Sequence, residues 1–288
     1  MKSKKISLFI TMCAAMSAFS LSGCSAVAEW MNQTFPNNTI FTEGGLVDKI
    51  TGGNSGGSTN TTGTSGSGTT GVQDDGTYYS TITSAMSGQT LVTALKNIIS
   101  KNVAQSYNWS RYEQADEDPD NKSNVITIYA RSSLKKTAHV SNNKGWNREH
   151  AYPQSKMTSP ATEDNHIIFA SDSVVNGKRG NKKLGVLSSG SYIVDSYGNT
   201  TPARTNSDVF DPGDTIARGI VARATMYAFI MYGYSPTENF SSISTMMSWH
   251  QAYSVSSFEQ KRNDVVYKNQ HNRNPFVDHP EYAAKIWG

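Results

Sequence analysis

The chain is poor in cysteine, in charge and in long apolar runs. It has 2 cysteines in 288 residues, Cys13 and Cys24, and both lie near the N-terminus. We therefore expect no disulfide framework, thiolate metal site or cysteine nucleophile in the rest of the chain. Charged residues make up 17% of the sequence, below the roughly 25% of an average domain. The one long apolar run is N-terminal, which excludes a protein with several membrane spans.

The N-terminal run has the order of an export signal. Lys2, Lys4 and Lys5 precede an apolar stretch over 6–21, and residues 21–24 read Leu-Ser-Gly-Cys. This ending resembles the lipobox of bacterial lipoproteins, in which the cysteine is acylated and becomes the mature N-terminus. Cys24 is thus the predicted lipidation site, and the extracytoplasmic face of the bacterial cell membrane is the predicted location. The alternatives are an uncleaved membrane anchor and an ordinary signal peptide with a chance cysteine.

Removal of this signal changes the charge of the protein. The whole chain has a formal net charge of +3 and a sequence pI near 8.7. The signal carries three lysines and no acid, so the mature chain is close to neutral. Whole-chain basicity therefore does not argue for nucleic-acid binding, and any such argument has to be local.

The composition divides the chain into four parts. Residues 1–23 are the predicted signal peptide, and 24–51 are a short N-terminal tether. Residues 52–76 are rich in Gly, Ser and Thr, which is typical of a flexible linker; a stretch of 20 such residues spans roughly 25 Å. Residues 77–288 hold most of the 5 Trp, 14 Tyr and 10 Phe, enough for a sizeable core, and form the predicted globular domain.

The periodicity within 77–288 predicts both helices and strands. Apolar spacing indicates a helix near 91–99 and a longer one over 214–232, whose predicted buried face includes Ile216 and Ile220. Residues 125–129 are rich in β-branched side chains and indicate a strand, the acidic stretch 111–120 a loop, and 280–286 a final helix. No glycine-rich phosphate loop follows a strand. We expect an α+β fold rather than a doubly wound sheet.

Polar residues concentrate in three clusters that predict a phosphodiester site. Glu149 and His150 are adjacent, and Asn176 follows 26 residues later. A carboxylate and an amide oxygen would hold Mg²⁺ weakly and leave its other positions to water and phosphate, while a neutral imidazole suits a general base. Between 144 and 185 there are seven Lys/Arg against four Asp/Glu, so the neutral chain has a locally positive region.

The same clusters have plainer interpretations. An isolated Glu-His pair is usually a surface accident, and a run of lysines is usually a solvated face. His166 lies between apolar neighbours and fits a hydrogen-bonded core position better than a ligand position. Residues 272–275, Asn-Arg-Asn-Pro, are typical of a turn. The joint occurrence of the clusters in one order is what favours a site.

That order resembles the endonuclease I family of secreted and periplasmic bacterial nucleases, in the ββα-metal (His-Me finger) superfamily. The matching segments are 147–150 (Asn-Arg-Glu-His), 153–155 (Pro-Gln-Ser), 164–166 (Asp-Asn-His), 175–181 (Val-Asn-Gly-Lys-Arg-Gly-Asn), 216–218 (Ile-Ala-Arg) and 272–276 (Asn-Arg-Asn-Pro-Phe). The resemblance covers about 78–288. It implies a mixed fold with a central ββα-metal motif packed among helices.

The resemblance also implies roles for individual residues. His150 is the expected general base, Glu149 and Asn176 the expected ligands of one divalent ion, and Arg179 a candidate phosphate clamp. The expected ion is Mg²⁺, with Mn²⁺ or Ca²⁺ as alternatives, and the expected substrates are DNA and RNA, cleaved by a monomer. Asp164 and His166 are expected to support the site residues without contacting substrate. The residues expected to bind substrate are Arg148, Lys156, Asn181, Asn272, Arg273 and Asn274.

The chain departs from the family pattern at several positions. His271 replaces the usual Gly, residues around His166 differ, and the loop between Ser155 and Asp164 is short, with Lys156 the one cation there. These departures motivate a second hypothesis, a catalytically degenerate surface lipoprotein that binds nucleic acid or a host partner. A third is a zinc hydrolase that uses Glu149, His150 and His166. We expect an active enzyme because His150, Glu149 and Asn176 are all present.

Overall fold

The computed structural model describes residues 76–140 and 144–288, and these mix helices with short strands. The predicted signal, the tether, Cys24 and all but the last residue of the predicted linker lie outside the described residues. The strands are β1 (Asn124–Ile126), β2 (Ser133–Lys135), β3 (Trp146–His150), β4 (Ile168–Asp172), β5 (Lys183–Leu184), β6 (Ser191–Val194), β7 (Thr200–Thr205) and β8 (Val209–Asp211). The helices are α1 (Gly88–Ile99), α2 (Trp109–Ala115), α3 (Ser173–Arg179), α4 (Thr215–Tyr232), α5 (Pro236–Asn239), α6 (Ile243–Ala252), α7 (Ser257–Gln270), α8 (Pro275–Asp278) and α9 (Tyr282–Trp287).

The described strands form three small sheets. β1 pairs with β2 and β3 pairs with β4, both antiparallel. The remaining four have the order β5-β8-β7-β6, in which β5 and β8 are parallel. Helices account for most of the other regular structure, so the predicted α+β class is confirmed.

The β3–β4 hairpin continues directly into α3 and forms a β–β–α unit. Trp146 pairs with Asp172 at one end of the hairpin and His150 with Ile168 at the other. All five residues of β4 are buried, as expected for a strand covered on both faces. The Asp172 carboxylate then accepts hydrogen bonds from the backbone of Val174 and Val175 and caps α3. Because no loop intervenes, α3 lies against the hairpin.

Helix α4 is at the centre of the larger apolar core. The Asp214 carboxylate caps it, and it ends at Gly233 in the left-handed conformation. Its buried residues include Ile220, Val221 and Tyr227. The helix predicted over 214–232 is thus confirmed, although Ile216, placed on the buried face by its spacing, is exposed.

Two other predicted elements differ from the structure. Residues 111–115 of the expected acidic loop are in helix α2, because Asn108 caps the first turn of this helix and Tyr112 and Ala115 are buried on one side. The strand expected over 125–129 is limited to β1. The acids that follow α2 have a structural use: Asp116 accepts from Arg262 of α7 at 2.6 Å and from the backbone of Ala170 in β4.

Candidate active site

His150 is the last residue of β3 and is held by one hydrogen bond. Its Nε2 lies 3.0 Å from the carbonyl oxygen of Thr162. A carbonyl can only accept, so Nε2 carries the hydrogen and Nδ1 has a free lone pair. Nδ1 has no hydrogen-bond partner among the described residues. Burial lowers the pKa of His150, against the Thr162 bond that raises it. The ring is therefore neutral at pH 7, with Nδ1 as its basic atom.

Glu149 is buried, with 2% of its surface exposed. Its Oε1 accepts from the Tyr129 hydroxyl at 2.7 Å and lies 3.4 Å from Nε of Arg179. Burial raises the pKa of Glu149, while Arg179 and Tyr129 lower it. Oε2 receives no hydrogen bond from the part of the chain that the structure describes. One carboxylate oxygen is thus fixed by the protein and the other is left for a ligand.

Asn176 lies one turn into α3 and faces β3. Its Nδ2 donates to Oδ1 of Asn147 at 2.7 Å and to the carbonyl oxygen of Arg148 at 3.0 Å. Because both amide hydrogens are used, the amide orientation is set and Oδ1 remains as a free acceptor. Asn176 and Arg179 are three residues apart, so one face of α3 meets β3 at Arg148 and Glu149.

The donor set fits a hard cation better than zinc. Oε2 of Glu149 and Oδ1 of Asn176 are oxygen donors of the kind Mg²⁺ takes, few in number as is usual for that ion. Within residues 76–140 and 144–288, no three His, Cys, Asp or Glu side chains form a group that could hold a metal. His166, required by the zinc hypothesis, is buried and its Nε2 donates to the carbonyl of Asn272 at 3.0 Å.

Arg179 has a different position from the one its predicted role as a phosphate clamp requires. Its side chain is 1% exposed. The guanidinium donates to the carbonyls of Gly180 and Ala151 and to Oδ1 of Asn239, at 2.7, 3.0 and 2.8 Å. It therefore lies behind Glu149 and directs its N–H groups into the protein.

Asp164 and His166 belong to a buried network between the 164–168 turn, α4 and α7. The Asp164 carboxylate accepts from the hydroxyls of Tyr227 and Tyr232, at 2.7 and 2.8 Å, and from Gln270 at 2.7 Å. The His166 ring packs against that of Tyr227. Burial lowers the pKa of His166 to about 4. These residues hold the turn that leads into β4.

Asn272, Arg273 and Asn274, predicted to bind substrate, are buried in protein contacts. Asn272 donates to the carbonyl of Ile99 and the hydroxyl of Tyr227. Arg273 pairs with Asp264 and Asp278. The Asn274 side chain caps α8 and bonds to the carbonyl of Arg223. These contacts give the motif a structural use, and its role in substrate binding stays a prediction.

The other three predicted substrate-binding residues reach the surface. Arg148 is partly exposed, donates to Glu163 at 3.0 Å and lies 4.0 Å from the ring centroid of Tyr107. Lys156 pairs with the exposed Glu238 at 2.5 Å. Asn181 is exposed just after α3.

Sequence reasoning missed three residues that contact the candidate site: Tyr129, Thr162 and Asn239. Thr162 contacts His150 through its backbone carbonyl, which any residue type could supply, so the sequence carries no signal for it.

Strands β3 and β4 run directly into helix α3, with Glu149 and His150 at the strand end and Asn176 on the helix, which is the arrangement expected of the ββα-metal nucleases. The family model for Endonuclease I matches residues 87–281, and the chain belongs to that family. Two curated relatives, both named "Extracellular ribonuclease", come from Bacillus amyloliquefaciens and Bacillus subtilis (strain 168). Each is 34% identical over 237 residues, 74% of this chain and 79% of the relative.

The protein is therefore a nuclease, an enzyme that breaks phosphodiester bonds. None of the helices in the described residues is long and apolar enough to cross a membrane.

Proposed function

We propose that the protein is an extracytoplasmic, divalent-metal-dependent nuclease that cleaves RNA and DNA with little sequence preference. The observation that carries the proposal is the hydrogen bond from Nε2 of His150 to the Thr162 carbonyl, which leaves the Nδ1 lone pair free to accept a proton. The names of both relatives support secretion and RNA as a substrate. The family to which the chain belongs supports internal cleavage.

His150 begins the reaction as the general base. Nδ1 takes a proton from a water molecule, whose oxygen attacks the phosphorus atom. The new P–O bond forms as the bond to the leaving oxygen breaks, and that oxygen takes up a proton from solvent. Burial supports this role because it keeps the ring neutral.

Glu149 and Asn176 are the proposed holders of one divalent ion, Mg²⁺ first, with Mn²⁺ or Ca²⁺ as alternatives. A bound ion would supply positive charge for the phosphate oxygens and the leaving oxygen. The chain's own contribution is orientation. Tyr129 and Arg179 fix the Glu149 carboxylate, and Asn147 with the Arg148 carbonyl fixes the Asn176 amide. Arg179 is thus proposed to position Glu149 rather than to bind substrate.

Weak sequence preference follows from the kind of groups available. Arg148, Lys156 and Asn181 are the proposed phosphate contacts, since they are the predicted substrate-binding residues that reach the surface. Contacts to phosphate position a nucleic acid without reading its bases. The lipid on Cys24 is proposed to hold the monomeric enzyme at the outer face of the cell membrane.

The test compares His150→Ala with the unchanged protein on plasmid DNA and on RNA, in Mg²⁺ and in EDTA. Loss of a general base costs about 10²- to 10⁴-fold in rate, so the variant should lose that much while its binding of DNA in a filter assay is retained. His279→Ala is the matched control, since His279 is a partly exposed histidine outside β3 and α3 that contacts Tyr79, Glu281 and Tyr282. Equal loss of cleavage and binding would contradict the role of His150.

The same assay, repeated with Mn²⁺ and with Ca²⁺ in place of Mg²⁺, decides the alternative of a degenerate binding protein. The departures that motivated it are around His166, in the buried network, and at His271, at the end of α7. Both are outside the group formed by Glu149, His150 and Asn176. A pure protein that binds nucleic acid but cleaves neither substrate in any of the three metals would favour that alternative.

A further inference from the structure

The exposed ring of Tyr107 lies beside the proposed active site with a cation stacked on it. The guanidinium carbon of Arg148 is 4.0 Å from the ring centroid. Half of the Tyr107 surface, 50%, remains exposed. Tyr107 thus presents an aromatic surface to solvent next to a positive charge.

The position of Tyr107 is set by packed neighbours. Its ring meets that of Trp109 edge-on at 5.4 Å. Trp109 in turn stacks on His139 at 4.3 Å and meets the buried Trp146 of β3 at 5.3 Å. This chain of rings links Tyr107 to the smaller apolar core. A ring held in this way loses little freedom when a ligand stacks on it.

Arg148 places this ring on the same face of β3 as His150. Arg148 and His150 are two residues apart on β3, so their side chains leave the same face about 7 Å apart along the strand. Both reach the short 3₁₀ helix Ala161–Glu163, since Arg148 donates to the side chain of Glu163 and His150 to the carbonyl of Thr162. The stacked pair and the general base thus share one surface of the hairpin.

We propose that the Tyr107–Arg148 pair is a stacking platform for one unpaired base close to the scissile phosphate, and that it makes single-stranded nucleic acid the preferred substrate. The proposal rests on the nuclease function proposed above. An aromatic ring beside a cation is the arrangement on which single strands bind, because every base has a face that can stack. Bases of a duplex have both faces covered by their neighbours and cannot use such a ring.

The experiment compares Tyr107→Ala with the unchanged enzyme on one oligonucleotide sequence in four forms: single-stranded RNA, single-stranded DNA and the two duplexes. The quantity measured is kcat/KM in Mg²⁺. Loss of the ring should lower kcat/KM for both single strands by about tenfold or more, as is usual when a stacking aromatic is removed. The two duplexes should change less than twofold. Tyr107→Trp should retain the single-strand rates.

The chain offers a matched control in Tyr192. That tyrosine is 52% exposed, and Arg204 lies 4.2 Å from its ring centroid. It is on β6, in a different sheet from β3. Tyr192→Ala should leave all four rates unchanged. Tyr107→Leu separates stacking from packing: it keeps an apolar side chain, and it should lose single-strand activity as Tyr107→Ala does while its thermal midpoint stays near that of the unchanged enzyme.

Two results would overturn the platform. One is a loss in Tyr107→Ala that is the same for single strands and duplexes; the other is no loss at all. A Tyr107→Leu enzyme with full single-strand activity would also overturn it, since the ring would then matter only as packing. Absence of cleavage by the unchanged enzyme on all four substrates would instead reject the nuclease function proposed above.

Discussion

At the scale of single residues, Arg179 can be tested for two different roles, the positioning of Glu149 and the binding of substrate phosphate. It is fully buried, lies 3.4 Å from Glu149 and donates to three protein oxygens. Removing one member of a buried charge pair leaves the other without compensation, which costs about 3–5 kcal/mol. We therefore expect Arg179→Met to lower the free energy of unfolding by about that much, as measured by urea denaturation.

The neighbour on the same helix provides the control for this change. Lys178 is exposed, and Lys178→Met should shift the free energy of unfolding by no more than about 0.5 kcal/mol, as is usual for surface changes. An Arg179→Met protein as stable as the unchanged one, but with weaker binding of nucleic acid, would restore the role of a phosphate clamp.

The sequence allowed roles to be predicted for candidate site residues that lie in short, recognisable motifs. Glu149 and His150 are neighbours, and Asn176 lies in the helix that follows the next strand, so their motifs could be recognised in short stretches. Arg179 could not be placed in the same way, because one of its acceptors, Asn239, is 60 residues further on. Asn272 bonds to the carbonyl of Ile99 across 173 residues. Such pairings depend on tertiary packing.

At the scale of elements, one departure from the family pattern lies at the end of a helix. His271 replaces the usual glycine, and it ends α7 in the left-handed conformation with φ 59°. This conformation costs roughly 1–2 kcal/mol for a residue with a Cβ. Gly233 ends α4 in the same way, with φ 76°. The two positions can therefore be compared directly, since His271 is strained in this conformation and Gly233 is not.

Exchange at these two ends should shift stability in opposite directions. We expect His271→Gly to raise the free energy of unfolding by about 0.5–1 kcal/mol, after the greater freedom of glycine in the unfolded chain is subtracted. Gly233→Ala should lower it by about 1 kcal/mol through backbone strain alone, because no atom lies within 4 Å of the added Cβ. Urea midpoints at constant slope measure both. A destabilised His271→Gly protein would mean that the imidazole makes a stabilising contact.

Helix prediction succeeded where the local signals agreed. Asp214, the apolar spacing of α4 and Gly233 mark the start, the body and the end of one helix. Most of α2 falls in the stretch 111–120 that was predicted as a loop because of its acids, four of which follow the helix. Asn108 caps the helix, and Tyr112 and Ala115 are buried on one side of it. Its burial follows from tertiary contacts that a local pattern does not contain.

At the scale of the whole molecule, the proposed lipid anchor and the proposed active site belong to different parts of the chain. Every residue proposed for the site lies after residue 106, and the family match begins at residue 87. Cys24 precedes the predicted linker and is not among the residues proposed for the site. The lipid should therefore decide where the enzyme acts and leave its chemistry unchanged.

Exchange of each cysteine in turn tests this division. In bacteria that express the chain, Cys24→Ser should move the nuclease from the membrane fraction to the aqueous fraction. The reason is that acyl chains bind the membrane through their buried CH₂ groups, each of which contributes about 0.8 kcal/mol. Cys13→Ser should stay with the membrane, since Cys13 lies in the segment predicted to be removed. Detergent phase partitioning followed by an activity gel locates the enzyme in each case. Both variants should cleave RNA at the rate of the unchanged protein, and a Cys24→Ser enzyme that stays in the membrane would point to an uncleaved anchor instead.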